Sequence, residues 1–410
     1  MAKEALKILL LIPNLGRGGA QKVFHQQLKY LSDKFEVVGC VFNWDGGFPE
    51  DHHKQIISLN VPEGRTYFSK AWYFVLRVKR LRRIKQENQI DVSISHLEGA
   101  DYINLLSRRS DKIICWIHGT KKHDENISGL LGALRMKILI PRLYRRADRL
   151  VTVSKGISSE LSKHIRGSEA ITQTIYNGFE LDKIIALSNE SLDPEFISLF
   201  QEQSIITHCR LSRQKNLGAL ILIFSQLSIR GKIKLIILGD GELRNELLAY
   251  CNQLGLNCWN CWSHEPQDLS FEVYFLGEHH NPFKFLRHST LYLMTSGWEG
   301  FPLALCEAMV CGLPAMASDC FTGPREIIAP EIQLPQPIET PYSNEYGILM
   351  PIPDDSKPEV ISKWVSEVET FLKKLDKNGT HERQGINRIK EFALSESISQ
   401  TISLVYEIST

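Results

Sequence analysis

Short apolar runs recur along the chain and alternate with stretches whose apolar residues fall three and four positions apart. The first run, residues 7–13 (KILLLIP), is nearly continuous, as expected for a strand covered on both faces of a parallel sheet. A glycine turn (NLGRGG) follows it. Val23, Phe24, Leu28 and Leu31 then mark one face of a helix over 21–31. Further strands are expected at 36–42, 92–95, 113–118 and 150–154, and Asn177-Gly178 is a turn signal closing another. Polar and acidic residues interrupt the alternation in 188–203, which reads as a linker. The pattern then restarts with strands at 205–209, 234–238, 273–277 and 291–294. Helices are expected at 217–227, 242–253 and 282–287, and residues 257–272 read as an extended connection. A short apolar segment at 347–351 and late helices at 357–375 and 386–407 complete the chain. Two successive rounds of strand and helix predict two Rossmann-like α/β domains, and 410 residues exceed one ordinary core.

The stretch from Thr295 to Glu326 concentrates the chemistry. It reads as loop, short helix, strand and loop. Pro302 suits the first helical position, Gly312 the residue just past the helix, and Pro314 prevents continuation. The helix start presents unpaired backbone N–H groups beside Glu299, Gly300 and Phe301, a setting that favours an anion. Glu307 lies about one and a half turns further in. Two carboxylates, one on the loop and one on the helix, are spaced to grip two polyols on either side of a phosphate. Upstream, Arg210 and Lys215 flank a turn (RLSRQKN), either converging on one diphosphate or standing as two solvated charges. The spacing of Gly16, Gly18 and Gly19 departs from GxGxxG, so a nicotinamide cofactor gains little support. His96 and His118 both sit at the carboxyl end of a predicted strand, the edge where open α/β sheets bind ligands. His118 leads into a charged loop and is expected to face the cleft, against the plainer reading of a structural histidine.

Charge and cysteine usage refine this picture. Residues 1–200 hold 30 Lys+Arg and 22 Asp+Glu, a net +8, which leaves the second half at −7 within a total of +1. The excess gathers between Arg77 and Lys85 (RVKRLRRIK) and between Arg142 and Arg149 (RLYRRADR). Each cluster reads either as a solvated helix face or as a patch drawn to an anionic surface, and the apolar run 72–76 before the first favours an interfacial helix. No nucleic-acid motif accompanies the charge. Nine cysteines, spread through strands and helices, read as reduced thiols. Cys258, Cys261 and His264, with Cys251 nearby, have spacing a zinc site would use but lack a second matched pair, so packing is the alternative. The first apolar run is too short for a membrane span, and a cytoplasmic protein, peripheral at most to the membrane's inner face, is expected.

Taken together, GRGGAQ, VSKGISSEL, IYNG, RLSRQKN, LGDGELR, VYFLG and SGWEGFPLALCEAM resemble the retaining glycosyltransferases of family four, over nearly the whole chain. The resemblance implies the GT-B fold, two Rossmann-like domains facing each other across a cleft. It implies an acceptor-side domain over 1–190, a nucleotide-sugar domain over 191–385 and a final helix over 386–410 crossing back. Arg210 and Lys215 would bind the diphosphate, Glu307 the ribose, and Glu299 with the backbone of Gly300, Phe301 and Pro302 the transferred sugar. Gly16, Gly18 and Gly19 would close over the donor, with Gly239, Gly277, Glu278 and Leu303 as further donor contacts and His118 near sugar and acceptor. The tail 318–327 (SDCFTGPREI) is similar to a subgroup of bacterial glycan assembly that often uses UDP-hexoses or UDP-N-acetylhexosamines, although Phe321 replaces the proline of many relatives. The implied reaction moves a hexose or N-acetylhexosamine, with retention and without a metal or cofactor, from a nucleotide sugar to a glycan or lipid-linked acceptor. A GT-B epimerase, a phosphorylase and a non-catalytic partner subunit are the alternatives.

Overall fold

The computed structural model describes residues 5–16, 18–44, 56–120, 132, 134–263, 267–320, 322–332, 336–378 and 385–410. The chain forms two compact units, one running to Gly178 and including Leu394–Thr410, the other Phe179–Ala393.

The first unit is built on β1 (Lys7–Ile12), β2 (Glu36–Val41), β3 (Ile56–Ser58), β4 (Val92–His96), β5 (Lys112–Ile117), β6 (Arg149–Thr152) and β7 (Thr172–Thr174), ordered β3-β2-β1-β4-β5-β6-β7. Every neighbouring pair is parallel. The strand order reverses between β1 and β4, which makes their carboxyl ends the switch point where such sheets bind ligands. Leu9 and Leu11 of β1 and Ile103 and Leu81 of the covering helices are fully or almost fully buried, which is why KILLLIP is continuously apolar.

The second unit carries β8 (Gln203–His208), β9 (Ile233–Leu238), β10 (Cys258–Asn260), β11 (Val273–Gly277), β12 (Leu291–Met294), β13 (Ala315–Ser318), β14 (Tyr342–Ser343) and β15 (Ile348–Met350). Their order is β10-β11-β9-β8-β12-β13-β15-β14, parallel except for β14 on β15. Its switch point lies between β8 and β12.

Four sequence expectations are corrected. The boundary falls at Gly178 rather than 190, because the helix Leu181–Ser188 packs on the helices Phe283–His288 and Leu303–Val310 of the second unit. Asn281 Nδ2 fixes that segment by donating to Leu187 O and Glu190 Oε2, each at 2.8 Å. The expected linker is folded chain, a helix at Pro194–Ile197 and a tight turn at Ser198–Phe200. The helix expected over 386–407 is broken. Gly385–Ile389 stays with the second unit, where Arg388 donates to Ile327 O and Glu326 O. Leu394–Ser409 packs on the helix Gly19–Leu31 of the first. Residues 257–272 are not merely a connection either, since Cys258–Asn260 adds an edge strand to β11.

The basic cluster on the helix Tyr67–Glu87 is mostly spent inside its own unit. Lys85 is fully buried and pairs with Asp111 at 2.7 Å. Arg77 donates to Val61 O and Pro62 O and lies over the Phe42 ring, while Arg80 donates to Asn60 O at 2.7 Å. Arg83 pairs with Glu87. The apolar residues ahead of the cluster divide: Tyr73, Phe74 and Leu76 are half-buried against the core of the unit. Tyr67, Phe68, Trp72 and Val75 are exposed, Phe68 by 89%. Among the described residues no helix is long and apolar enough to cross a membrane.

Candidate active site

Loops that leave adjacent strands at the second switch point build the centre of the site. Lys215 follows β8 on a tight turn, Arg213–Lys215, and Glu299 follows β12. Lys215 Nζ meets Glu299 Oε1 at 2.6 Å, with the Glu299 side chain only 6% exposed. The same oxygen accepts from Ser296 Oγ at 2.7 Å, and Gln214 Nε2 reaches Oε2 at 3.3 Å while also donating to Trp298 O. The two loops are pinned together by Gly297 N to Gln214 O at 2.9 Å and by Thr295 Oγ1 against the carbonyls of Lys215 and Asn216. Burial works against the Lys215 charge, but Glu299 outweighs it and the lysine pKa is raised. A charged lysine and a fixed carboxylate thus share one half-buried spot.

Pro302 stands one residue before the helix Leu303–Val310 rather than at its first position, in extended backbone. The helix ends as expected, with Gly312 left-handed at φ +75. Gly312 N bonds Met309 O and Leu313 N bonds Ala308 O, both at 3.0 Å, a Schellman closure. Glu307 is buried in this helix, with His208 Nδ1 3.8 Å from its Oε2. Phe301 turns its ring into the core against Phe392 and Phe179, so this position offers backbone to the site. Gly300 and Pro302 are buried and Leu303 is half-buried.

Arg210 does not join Lys215. It pairs instead with Glu242 at 3.0 Å, its side chain 70% exposed. Gly239 and Gly277 have packing reasons of their own. A Cβ on Gly239 would fall 1.9 Å from Cys209 O, and one on Gly277 2.7 Å from Cys261 Sγ. Trp262 in that same insertion stacks on the Arg244 guanidinium at 4.1 Å. Glu278 is exposed at the end of β11.

In the first unit, Gly16, Gly18 and Gly19 follow β1 at its switch point. Asn14 Oδ1 accepts from Gly16 N at 3.3 Å and from Gln21 Nε2 at 2.9 Å, tying the glycine turn to the helix behind it. A Cβ on Gly18 would fall 2.5 Å from Gln21 Oε1. His96 ends β4 and is fully buried; its Nε2 donates to Gln27 Oε1 at 3.1 Å. Its Nδ1 lone pair then receives His118 Nε2–H at 2.9 Å. Burial, and then the charge of His118, hold the His96 pKa well below 6.5. A neutral buried histidine therefore orients the half-exposed His118.

All nine cysteines are unbridged. Among the described residues no group of His, Cys, Asp and Glu is arranged to hold a metal. His264, Phe321 and the charged loop after His118 lie outside the described residues.

Comparison with known proteins bears directly on this geometry. The family described as Glycosyltransferase Family 4 matches residues 17–183, and the family described as Glycosyl transferases group 1 matches 200–334. Each match covers the greater part of one unit. The chain is a family-four glycosyltransferase. It is 29% identical over 354 residues to an uncharacterised glycosyltransferase of Methanocaldococcus jannaschii, covering 80% of this chain and 83% of that one. It is 26% identical over 370 residues to a Campylobacter jejuni enzyme named as the N-acetylgalactosamine-N,N'-diacetylbacillosaminyl-diphospho-undecaprenol 4-alpha-N-acetylgalactosaminyltransferase, covering 85% and 87%. Its fold matches Anabaena HepE, solved with UDP and glucose, at a TM-score of 0.72 and 18% identity over 98% and 100% of the two chains. The fold is accordingly GT-B.

Within this glycosyltransferase, Gln214, Ser296, Asn14, Gln21 and Gln27 join the residues expected from sequence. RLSRQKN and TSGWEG contained the signal for the first two, because each lies within three residues of a charged site residue.

Replacing Lys215 by Ala or Glu299 by Gln leaves one partner buried without its counter-charge. Each single variant should lose about 3 kcal/mol of stability in urea unfolding, and the double variant clearly less than the sum. A second outcome concerns His96. Because its folded pKa lies below its unfolded value, the unfolded chain binds the extra proton, and stability should decline as pH falls below about 6.5, by at most about 1.4 kcal/mol per unit. Thermal unfolding from pH about 7.5 down to about 5 should show this slope, and His96→Gln should flatten it.

Proposed function

We propose that this transferase moves a hexose or N-acetylhexosamine, with retention, from a UDP-sugar to a lipid-linked glycan in surface polysaccharide or glycoconjugate assembly. The observation that carries the reading is the Lys215–Glu299 pair closed over the second switch point, with Glu307 on the helix that follows. Glu299 holds hydroxyls of the transferred sugar, Glu307 the ribose, and Lys215 the diphosphate. Departure of the nucleoside diphosphate leaves negative charge on its terminal phosphate, which Lys215 and the N-terminal N–H groups of Leu303–Val310 stabilise. The acceptor hydroxyl attacks the anomeric carbon on the face being vacated and passes its proton to the leaving phosphate oxygen. Arg210 reaches the same phosphate by exchanging Glu242, an exposed partner worth only about 0–1 kcal/mol. The carboxylate oxygens of Glu299 already accept from Lys215, Ser296 and Gln214, a donor set that suits charge neutralisation by lysine without a metal. His118, with its tautomer set by His96, lies on the acceptor side. The Campylobacter relative named for a diphospho-undecaprenol acceptor and the HepE complex with UDP support the acceptor and donor classes.

A thermal-shift series with UDP-, GDP- and ADP-sugars tests the donor, since a ligand at 100 times its Kd stabilises by about 2.7 kcal/mol. UDP-sugars should raise the melting temperature most, and lipid-diphosphate acceptor should then yield product of unchanged anomeric configuration. An altered sugar nucleotide formed without acceptor would instead make this an epimerase.

The lipid contact is assigned to the exposed aromatic end of Tyr67–Glu87 rather than to the whole basic cluster, because Arg77, Arg80, Arg83 and Lys85 have partners within the unit. Tyr67, Phe68, Trp72 and Val75 enter the interface while Lys79 and Arg82 stay at the headgroups. The protein should float with anionic vesicles, and a Phe68→Ser, Trp72→Ser double variant should stay at the bottom of the gradient with its fold intact.

A further inference from the structure

The end of β13 and Thr322 beyond it hold the backbone of the Glu299 loop through groups that the donor reading does not use. Ser318 Oγ donates to Ser296 O at 2.6 Å, and the Thr322 hydroxyl donates to the carbonyl of Glu299 itself. Gly323 sits at φ +78, and a Cβ there would fall 2.5 Å from Pro302 Cδ and 2.9 Å from Gly300 O. Asp319 and Arg325, on either side of these residues, are themselves held in place. Arg325 lays its guanidinium fork on Asp319, with Nε 2.9 Å from Oδ1, and also donates to Gln336 O. Asp319 accepts from Ile338 N and donates its own N–H to Met350 O, both at 2.7 Å. Ser318, Asp319 and Thr322 are wholly buried.

The two hydrogen bonds fall on main-chain oxygens of 296 and 299, so they set the course of the loop regardless of its side chains. The bond to Glu299 O has a specific consequence. In a planar trans peptide the C=O of one residue and the N–H of the next point in opposite directions. Holding Glu299 O toward Thr322 therefore aims Gly300 N–H away from it. The Glu299 side chain is fixed separately, through its carboxylate. Losing the Thr322 bond frees the peptide plane to rotate while the carboxylate stays paired to Lys215.

We propose that Thr322 and Gly323, locked in place by the Arg325–Asp319 pair, are positioning residues that orient the Glu299–Gly300 peptide toward the transferred sugar and leave the nucleotide contacts alone. This rests on Glu299 being at the sugar side of the donor site. The hydroxyl rather than the bulk of Thr322 carries the effect, and Gly323 is required because any side chain would push against Pro302 and Gly300.

The test compares Thr322→Val, Thr322→Ala and Thr322→Ser, measuring UDP affinity, UDP-sugar affinity, kcat and melting temperature for each. Val and Ala should keep UDP affinity within about twofold and lower kcat by about 10–100-fold. Ser, which shares the lost methyl with Ala but keeps the hydroxyl, should restore most of the rate. Wild-type kcat in Thr322→Ala overturns the proposal. So does a parallel loss of UDP and UDP-sugar affinity with a lowered melting temperature, which marks a purely structural role. Should Val fail to fold, the Ala and Ser pair decides alone. Lys215→Ala and Glu299→Gln run alongside as controls, and their retaining normal turnover would refute the donor-site reading itself, whatever Thr322 does.

Discussion

Everything at the second switch point depends on one constraint, that a lysine and a glutamate must share a half-buried spot without either being left alone. Lys215 and Glu299 come from loops after different strands, and they meet because β8 and β12 are neighbours whose connections run in opposite directions. Taking two charges out of water is costly, and the cost is offset only when further hydrogen bonds occupy the remaining lone pairs. Ser296 and Gln214 fill that role for the carboxylate, and the two loops are bonded main chain to main chain so that the charges cannot drift apart. The result is a preorganised pair whose geometry is determined by the sheet order. Catalysis benefits from groups that need not reorganise as charge develops.

The first unit solves a similar problem with neutral groups. His96 at the end of β4 is buried where a charge would be unfavourable, and its hydrogen bond to Gln27 leaves the other nitrogen as an acceptor for His118. The glycine turn beside it is held by Asn14 and Gln21, amide groups that carry no charge. The second switch point thus holds a charge pair, while the first is held by neutral amides and a neutral His96.

Much of this was legible in the sequence, and the limits have physical causes. Continuous apolar runs such as KILLLIP and VYFLG placed the central strands to within a residue or two, because burial on both faces leaves no polar position to confuse the period. Short edge strands left no such trace. Cys258–Asn260 lies in a stretch of mixed polarity that reads as connection. The break near Leu394 was missed because the chain stays helical on both sides and only tertiary packing decides which unit each piece joins. Among site residues, Glu299, Glu307 and Lys215 stood out by type and spacing. Arg210 also did, yet the fold gives it an exposed partner in Glu242, a pairing that sequence distance cannot show. His96 was visible at a strand end, but its link to Gln27 spans 69 positions.

The basic clusters illustrate how a charge run divides once it is folded. On a helix, residues three and four apart share a face, so RVKRLRRIK must send its cations in several directions. Lys85 goes inward and needs Asp111, while Arg77 and Arg80 lie over the chain at 59–62 and satisfy carbonyls there. What remains for solvent is a few cations at one end of the helix and an aromatic group at the other. A net count of +8 in this half therefore overstates the charge available to an outside surface. The exposed aromatics, which add nothing to net charge, are the larger departure from an ordinary soluble face, since Tyr67, Phe68 and Trp72 leave apolar area in water that only a partner can cover.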